Sequence, residues 1–168
     1  NVMLPDDGTT SVLKVNGTFN INGTLKTDAN RTLDMQTNNS TLNAGGTTDN
    51  SGTITASDGA VTFGGSLTND GTITGGSGAV TFGETTNSGR ITCSTTTTVF
   101  NDAVTVSAGG TIKGTTGTAE FKSTVTNSGT ITGGSGAVTF GGNVTNDGEI
   151  SGSFGELTFS GTYGSSTN

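Results

Sequence analysis

The chain has 168 residues, a formal net charge of −7 and a sequence pI near 4.1, with no His, no Trp, one Cys and one Pro. Its six Lys and Arg are scattered singly, so no basic stripe exists for a phosphate backbone or an anionic lipid surface, and neither nucleic acid nor membrane insertion is expected. No run of 18 apolar residues occurs, and 27% apolar residues with 30 Gly cannot build an ordinary core unless apolar positions recur at fixed intervals.

Residues 1–11, NVMLPDDGTTS, read as an N-terminal extension or partial cap, and they lack the basic and apolar regions of a signal peptide. From Val12 to Tyr163 the chain then repeats. Val12 and Ile21, and Leu33 and Leu42, are nine residues apart. The same interval joins Ile54 to Phe63, Ile73 to Phe82, Ile91 to Phe100, Ile112 to Phe121, Ile131 to Phe140 and Ile150 to Phe159. A third apolar position falls four residues beyond the Phe, at Leu67, Val104, Val125, Val144 and Tyr163, with Leu25 matching in the first unit and Thr86 as an exception. Gly52, Gly71, Gly89, Gly110, Gly129 and Gly148 stand two residues before their anchors, and Asn50, Asn69, Asn87, Asn127 and Asn146 stand four before. The stretch GTITGGSGAVTF occurs twice without change, at 71–82 and 129–140. Residues 164–168 form a C-terminal tail.

Around each apolar position the residues alternate, as in Ala60-Val61-Thr62-Phe63, which gives Val61 and Phe63 one face and Ala60 and Thr62 the other. The expected fold is all-β: a parallel β-solenoid of about eight rungs, 18–21 residues per rung, with three short strands in each. One rung cannot bury its apolar face alone, which explains the repetition. Corner Gly is expected to supply positive φ, and the nearby Asn either to adopt a left-handed conformation or to ladder with its copies. Two-residue insertions before Leu33, Ile54 and Ile112, and a deletion near Thr86, are expected at one corner, where a binding loop would lie.

Sites for chemistry are scarce. GGSG at 75–78 and 133–136 lacks the helix and Lys of a phosphate cradle, and Asp70 and Asp147 lie rungs apart, so no catalytic, metal or cofactor site is assigned and no enzyme is expected. Asp102, Glu120 and Lys122 form the one local group of mixed charge and read as solvated ion pairing. Cys93 alone makes no intramolecular disulfide. The outward positions of the third strand read Ser66 and Thr68, Thr85 and Asn87, Ala103 and Thr105, Thr124 and Thr126, Asn143 and Thr145. That array resembles the Thr-x-Thr face of ice-binding solenoids, which makes ice binding the alternative function, with a polysaccharide-binding or depolymerising β-helix ranked after it.

The N-[SD]-G-T-I-T, G-A-V-T-F and x-V-T-N segments resemble the passenger repeats of bacterial surface solenoids, the filamentous-haemagglutinin and autotransporter adhesins. The resemblance implies an extracellular or cell-surface structural or adhesive protein, with a glycan or host receptor as one kind of partner. A solenoid exposes strand edges and an apolar cross-section at its ends. Neither NVMLPDDGTTS nor SGTYGSSTN suits an amphipathic capping helix. The chain is therefore expected to be a segment of a longer adhesin or to stack on copies of itself, with Val2, Met3 and Leu4 against a neighbour's Phe154, Leu157 and Phe159.

Overall fold

The structure, a computed structural model, describes residues 1–35, 39–153 and 155–165. These residues form strands and no helix. Strand β1 (Val2–Leu4) precedes eight rungs of three strands each. The first rung holds β2 (Ser11–Lys14), β3 (Thr18–Ile21) and β4 (Leu25–Thr27), and the second β5 (Arg31–Asp34), β6 (Thr41–Ala44) and β7 (Thr48–Asn50). The third holds β8 (Thr53–Thr55), β9 (Val61–Phe63) and β10 (Leu67–Asn69), and the fourth β11 (Thr72–Thr74), β12 (Val80–Phe82) and β13 (Thr85–Asn87). The fifth holds β14 (Arg90–Thr92), β15 (Thr97–Phe100) and β16 (Val104–Val106), and the sixth β17 (Thr111–Lys113), β18 (Thr118–Phe121) and β19 (Val125–Asn127). The seventh holds β20 (Thr130–Gly133), β21 (Val138–Phe140) and β22 (Val144–Asn146), and the last β23 (Glu149–Gly152), β24 (Leu157–Phe159) and β25 (Tyr163–Gly164).

Like strands of successive rungs pair in parallel to make three sheets. Each sheet takes its name from a row of its inward side chains. The Ile sheet runs from β2 to β23, the Phe sheet from β3 to β24, and the Asn sheet from β1 to β25. At a parallel strand spacing of about 4.8 Å, eight rungs give a rod about 38 Å long.

The core is a narrow column of stacked identical side chains. Ile54, Ile73, Ile91, Ile112 and Ile131 lie one above another and are buried. Phe63, Phe82, Phe100, Phe121, Phe140 and Phe159 stack with centroids 4.5–5.3 Å apart and planes within 11°. Leu67, Val104, Val125 and Val144 fill the third row. The β-branched and aromatic residues suit strands, and their rows suit stacking at rung spacing.

In the first two rungs the register differs from the nine-residue expectation. Leu13, not Val12, pairs with Leu33 and through it with Ile54. Leu42 pairs with Val61, and Ala44 takes the Phe position. The second rung is therefore longer between its first two strands. The insertions divide between two corners: those before Leu33 and Ile112 lie between the Asn and Ile sheets, where Asn30 and Gly109 have φ of 62° and 85°, and the other lies between the Ile and Phe sheets.

The corner glycines do not have the expected backbone. Gly52, Gly71, Gly89, Gly110, Gly129 and Gly148 are absent from the positive-φ residues among those described, which are Gly8, Gly17, Gly109, Gly152, Asn30 and Asn39. They are glycines because the next rung is too close: a Cβ on Gly71 or Gly89 would come within 3.0 Å of the backbone of Gly52 or Gly71 below.

The neighbouring asparagines ladder inside the rod. Asn50 Nδ2 donates to Asn69 Oδ1 at 2.7 Å, and Asn69 Nδ2 donates to Asn87 Oδ1 at 2.7 Å. Val106 interrupts the row, and a second ladder runs from Asn127 to Asn146 at 2.7 Å. At the start, Asn50 Oδ1 and the Thr27 Oγ1 one rung below are both buried without a hydrogen-bond partner. Thr27→Asn places a donor beneath Asn50 and is expected to stabilise the fold by about 1 kcal/mol, read as a higher urea midpoint.

Candidate functional site

The sides of the rod carry three kinds of feature: a threonine rank, a recess at one corner and a charged cluster near the N-terminal end. On the Asn sheet Thr68, Thr86, Thr105, Thr126 and Thr145 are register partners on five successive rungs and point outward. Two residues expected on that face are not there. Thr85 is 1% exposed and Asn87 0%, both facing the core, while Thr86 takes the outward place. The cause is corner length: Gly83 and Glu84 link β12 to β13, where Gly64, Gly65 and Ser66 link β9 to β10. Losing one corner residue inverts the in-out alternation of the next strand. Ser66 and Thr124 are exposed in a second rank, but Glu84 and Ala103 stand between them, and the Ser66 hydroxyl donates to Glu84 Oε2 at 3.2 Å. The expected uncharged double rank is thus a single ordered rank.

The same short corner leaves a shallow recess of about 460 Å³ lined by Gly64, Gly65, Ser66, Glu84, Asp102 and Ala103. Glu84 and Asp102 face it from adjacent rungs. Among the described residues no three His, Cys, Asp or Glu side chains come close enough to hold a metal ion.

Ion pairing occurs elsewhere than expected. No salt bridge joins Asp102, Glu120 and Lys122; the pairs among the described residues are Lys26–Asp28 at 2.9 Å and Arg31–Asp7. Arg31 is 5% exposed and holds the N-terminal segment by three more contacts. Its Nε donates to Pro5 O at 2.6 Å, and its Nη1 donates to Thr9 O at 3.0 Å and Ser11 Oγ at 2.5 Å. Pro5 to Ser11 are thereby fastened across the corner between β1 and β2. An exposed-type residue that is buried gives no signal in a single sequence, and this clamp was not legible there.

Asp7 is held down to about 2 from the ordinary 3.8, first by the Thr9 hydroxyl at 2.6 Å and the Thr9 amide at 3.0 Å, and then by Arg31. A carboxylate with a depressed folded pKa supports the fold above about 3.8 and loses that support as pH falls through 2. An NMR titration of Asp7 is expected to show a midpoint near 2, with the Thr9 amide shifting in step; an unshifted midpoint would show the clamp open in solution.

Cys93 faces the core and is 2% exposed; burial pushes its thiol up to about 11 despite a hydrogen bond with Thr98. The folded protein is expected to resist iodoacetamide at pH 8 and to react only after unfolding, as followed by mass spectrometry.

The described residues named for end contacts sit on strands at the two ends of the rod. Val2 and Leu4 are half-buried and pack on the core, Met3 is 60% exposed, and Leu157 and Phe159 are 39% and 37% exposed at the opposite end. Phe154 lies outside the described residues. The exposed large apolar residues among those described are Met3, Val12, Leu13, Leu157, Phe159 and Tyr163, all on β1, β2, β24 or β25. No family model, curated protein or solved structure matches the chain.

Proposed function

We propose that this solenoid is a non-enzymatic extracellular rod, a segment or head-to-tail subunit of a surface adhesin or appendage. One observation carries the reading: the exposed large apolar side chains of the described residues are confined to strands of the two end rungs and β1. The long sides instead present Thr, Asn, Ser and charged residues. Apolar groups gathered beside unpaired strand edges favour contact along the axis, which does not close and so extends. The surface location follows from the likeness of the repeat to adhesin passengers. Negative-stain microscopy of the purified chain across a concentration series is expected to show rods several times the single length, and uniform single rods at every concentration would count against self-assembly.

A second reading, ice binding, is favoured by the five in-register threonines of the Asn sheet, whose hydroxyls and methyls recur at rung spacing. Thermal hysteresis at millimolar protein, abolished by Thr105→Lys, would support it; absence of hysteresis ends it.

A further inference from the structure

The joint between copies can be specified further, on the premise that the chain stacks end to end. The Asn sheet has nine strands and the Ile and Phe sheets eight each, because β1 and β25 both belong to the Asn sheet. Along the chain the sheets recur in the order Asn, Ile, Phe, so these residues carry one strand more than eight whole turns. When a second copy is laid on the last rung with its β2 beside β23 and its β3 beside β24, its β1 falls in the slot that β25 fills. We propose that copies of this chain join by strand replacement, the incoming β1 displacing β25 from the edge of β22.

The rows match in that register. The incoming Leu13 belongs to the row of Ile150, Phe19 to that of Leu157, and Ile21 to that of Phe159. Val2 belongs to the row of Val144, where Tyr163 now sits. The exposed Leu13, Leu157 and Phe159 are then all covered. Without replacement, the incoming β1 rests on β25 and an open rung separates the copies in the other two sheets, leaving those side chains in water.

The two rivals for the slot are unequal. Strand β25 has two residues, both exposed; Val144 N donates to Thr162 O at 2.7 Å, Thr162 N to Asn143 Oδ1 at 3.0 Å, Asn146 Nδ2 to Tyr163 Oη at 3.0 Å and Ser165 Oγ to Asp147 Oδ1 at 2.6 Å, and the Tyr163 ring stands edge-on to Phe159 at 4.9 Å. Strand β1 has three, its Val2 amide donating to Thr24 O at 2.7 Å and its Leu4 carbonyl accepting from Asp28 N at 3.0 Å, and the Arg31 clamp secures the residues behind it. The longer, clamped strand stays and the short one yields. With a net charge of −7 on each copy, assembly is expected to strengthen as salt screens repulsion.

Thr145 and Gly164 are outward register partners on β22 and β25. Adjacent strands lie about 4.8 Å apart, within reach of a disulfide. In the double variant Thr145→Cys, Gly164→Cys, oxidation locks β25 in place, while Cys93 stays buried. The expected result is single rods when oxidised and filaments at the parent chain's concentration when reduced. A chain ending at Thr162, checked for β-structure by circular dichroism, is expected to assemble at a concentration several-fold lower than the parent. Equal assembly of oxidised and reduced forms, or no gain on truncation, overturns strand replacement while leaving end-to-end stacking standing. If the parent, reduced and truncated chains all remain single rods, both are overturned.

Discussion

Phe100→Ala is expected to cost about 3–5 kcal/mol, among the largest losses from a single truncation in the rod. Phe100 is fully buried and is stacked on both faces, 4.7 Å from Phe82 and 4.5 Å from Phe121. Its removal opens a cavity in the middle of a column one side chain wide. The rungs above and below cannot collapse into it, because β12, β15 and β18 hold them at fixed spacing by backbone pairing. A repeat protein couples only neighbouring rungs, so the damage divides the rod into two shorter stacks. Urea unfolding followed by circular dichroism is the measurement, and the expected signature is a lower midpoint with a broader or biphasic transition. Phe159→Ala is the comparison: at 37% exposure on the last rung it has a stacked ring on one face only and is expected to cost less than half as much.

Gly89→Ala is expected to be nearly as damaging, about 3 kcal/mol or more, although it adds a single methyl to a glycine with ordinary backbone angles. The added Cβ would come within 3.0 Å of the Gly71 carbonyl and of Asp70 backbone. Those atoms belong to the rung below, whose amides and carbonyls are committed: Arg90 N donates to Gly71 O at 2.8 Å, and Gly71 N donates to Asn50 O at 2.9 Å. Nothing nearby is the movable end of a side chain. Gly64→Ala tests the distinction, since its Cβ would meet the Ala44 carbonyl at an ordinary 3.7 Å. That change is expected to shift stability by no more than about 0.5 kcal/mol. Thermal or urea midpoints for the pair decide the matter. Equal effects would show that the Gly89 corner stands farther from the rung below than van der Waals contact.

The repeat itself is legible because parallel stacking makes each inward position face its own equivalent. The six Ile-to-Phe intervals from Ile54 to Phe159, the three strands per rung and the inward Leu67, Val104, Val125 and Val144 needed nothing beyond the spacing of apolar residues. The asparagine ladder was legible as one of two options, and the structure selects it: Asn69 and Asn87 bond along the axis, while the left-handed conformation belongs to Asn30 and Asn39.

The sequence by itself determined the periodic core: which residue types recur, at what interval, and that they form strands of a coil. Only the tertiary structure decided the parity of Thr85 and Asn87, the register of Leu13 and Leu42, the reason for Gly71 and Gly89, and the burial of Arg31. The physical reason is the same in each case. Alternation along a strand is a local property, but the number of corner residues resets it, and the space at a corner is set by backbone about 20 residues away in the chain and one rung away in space.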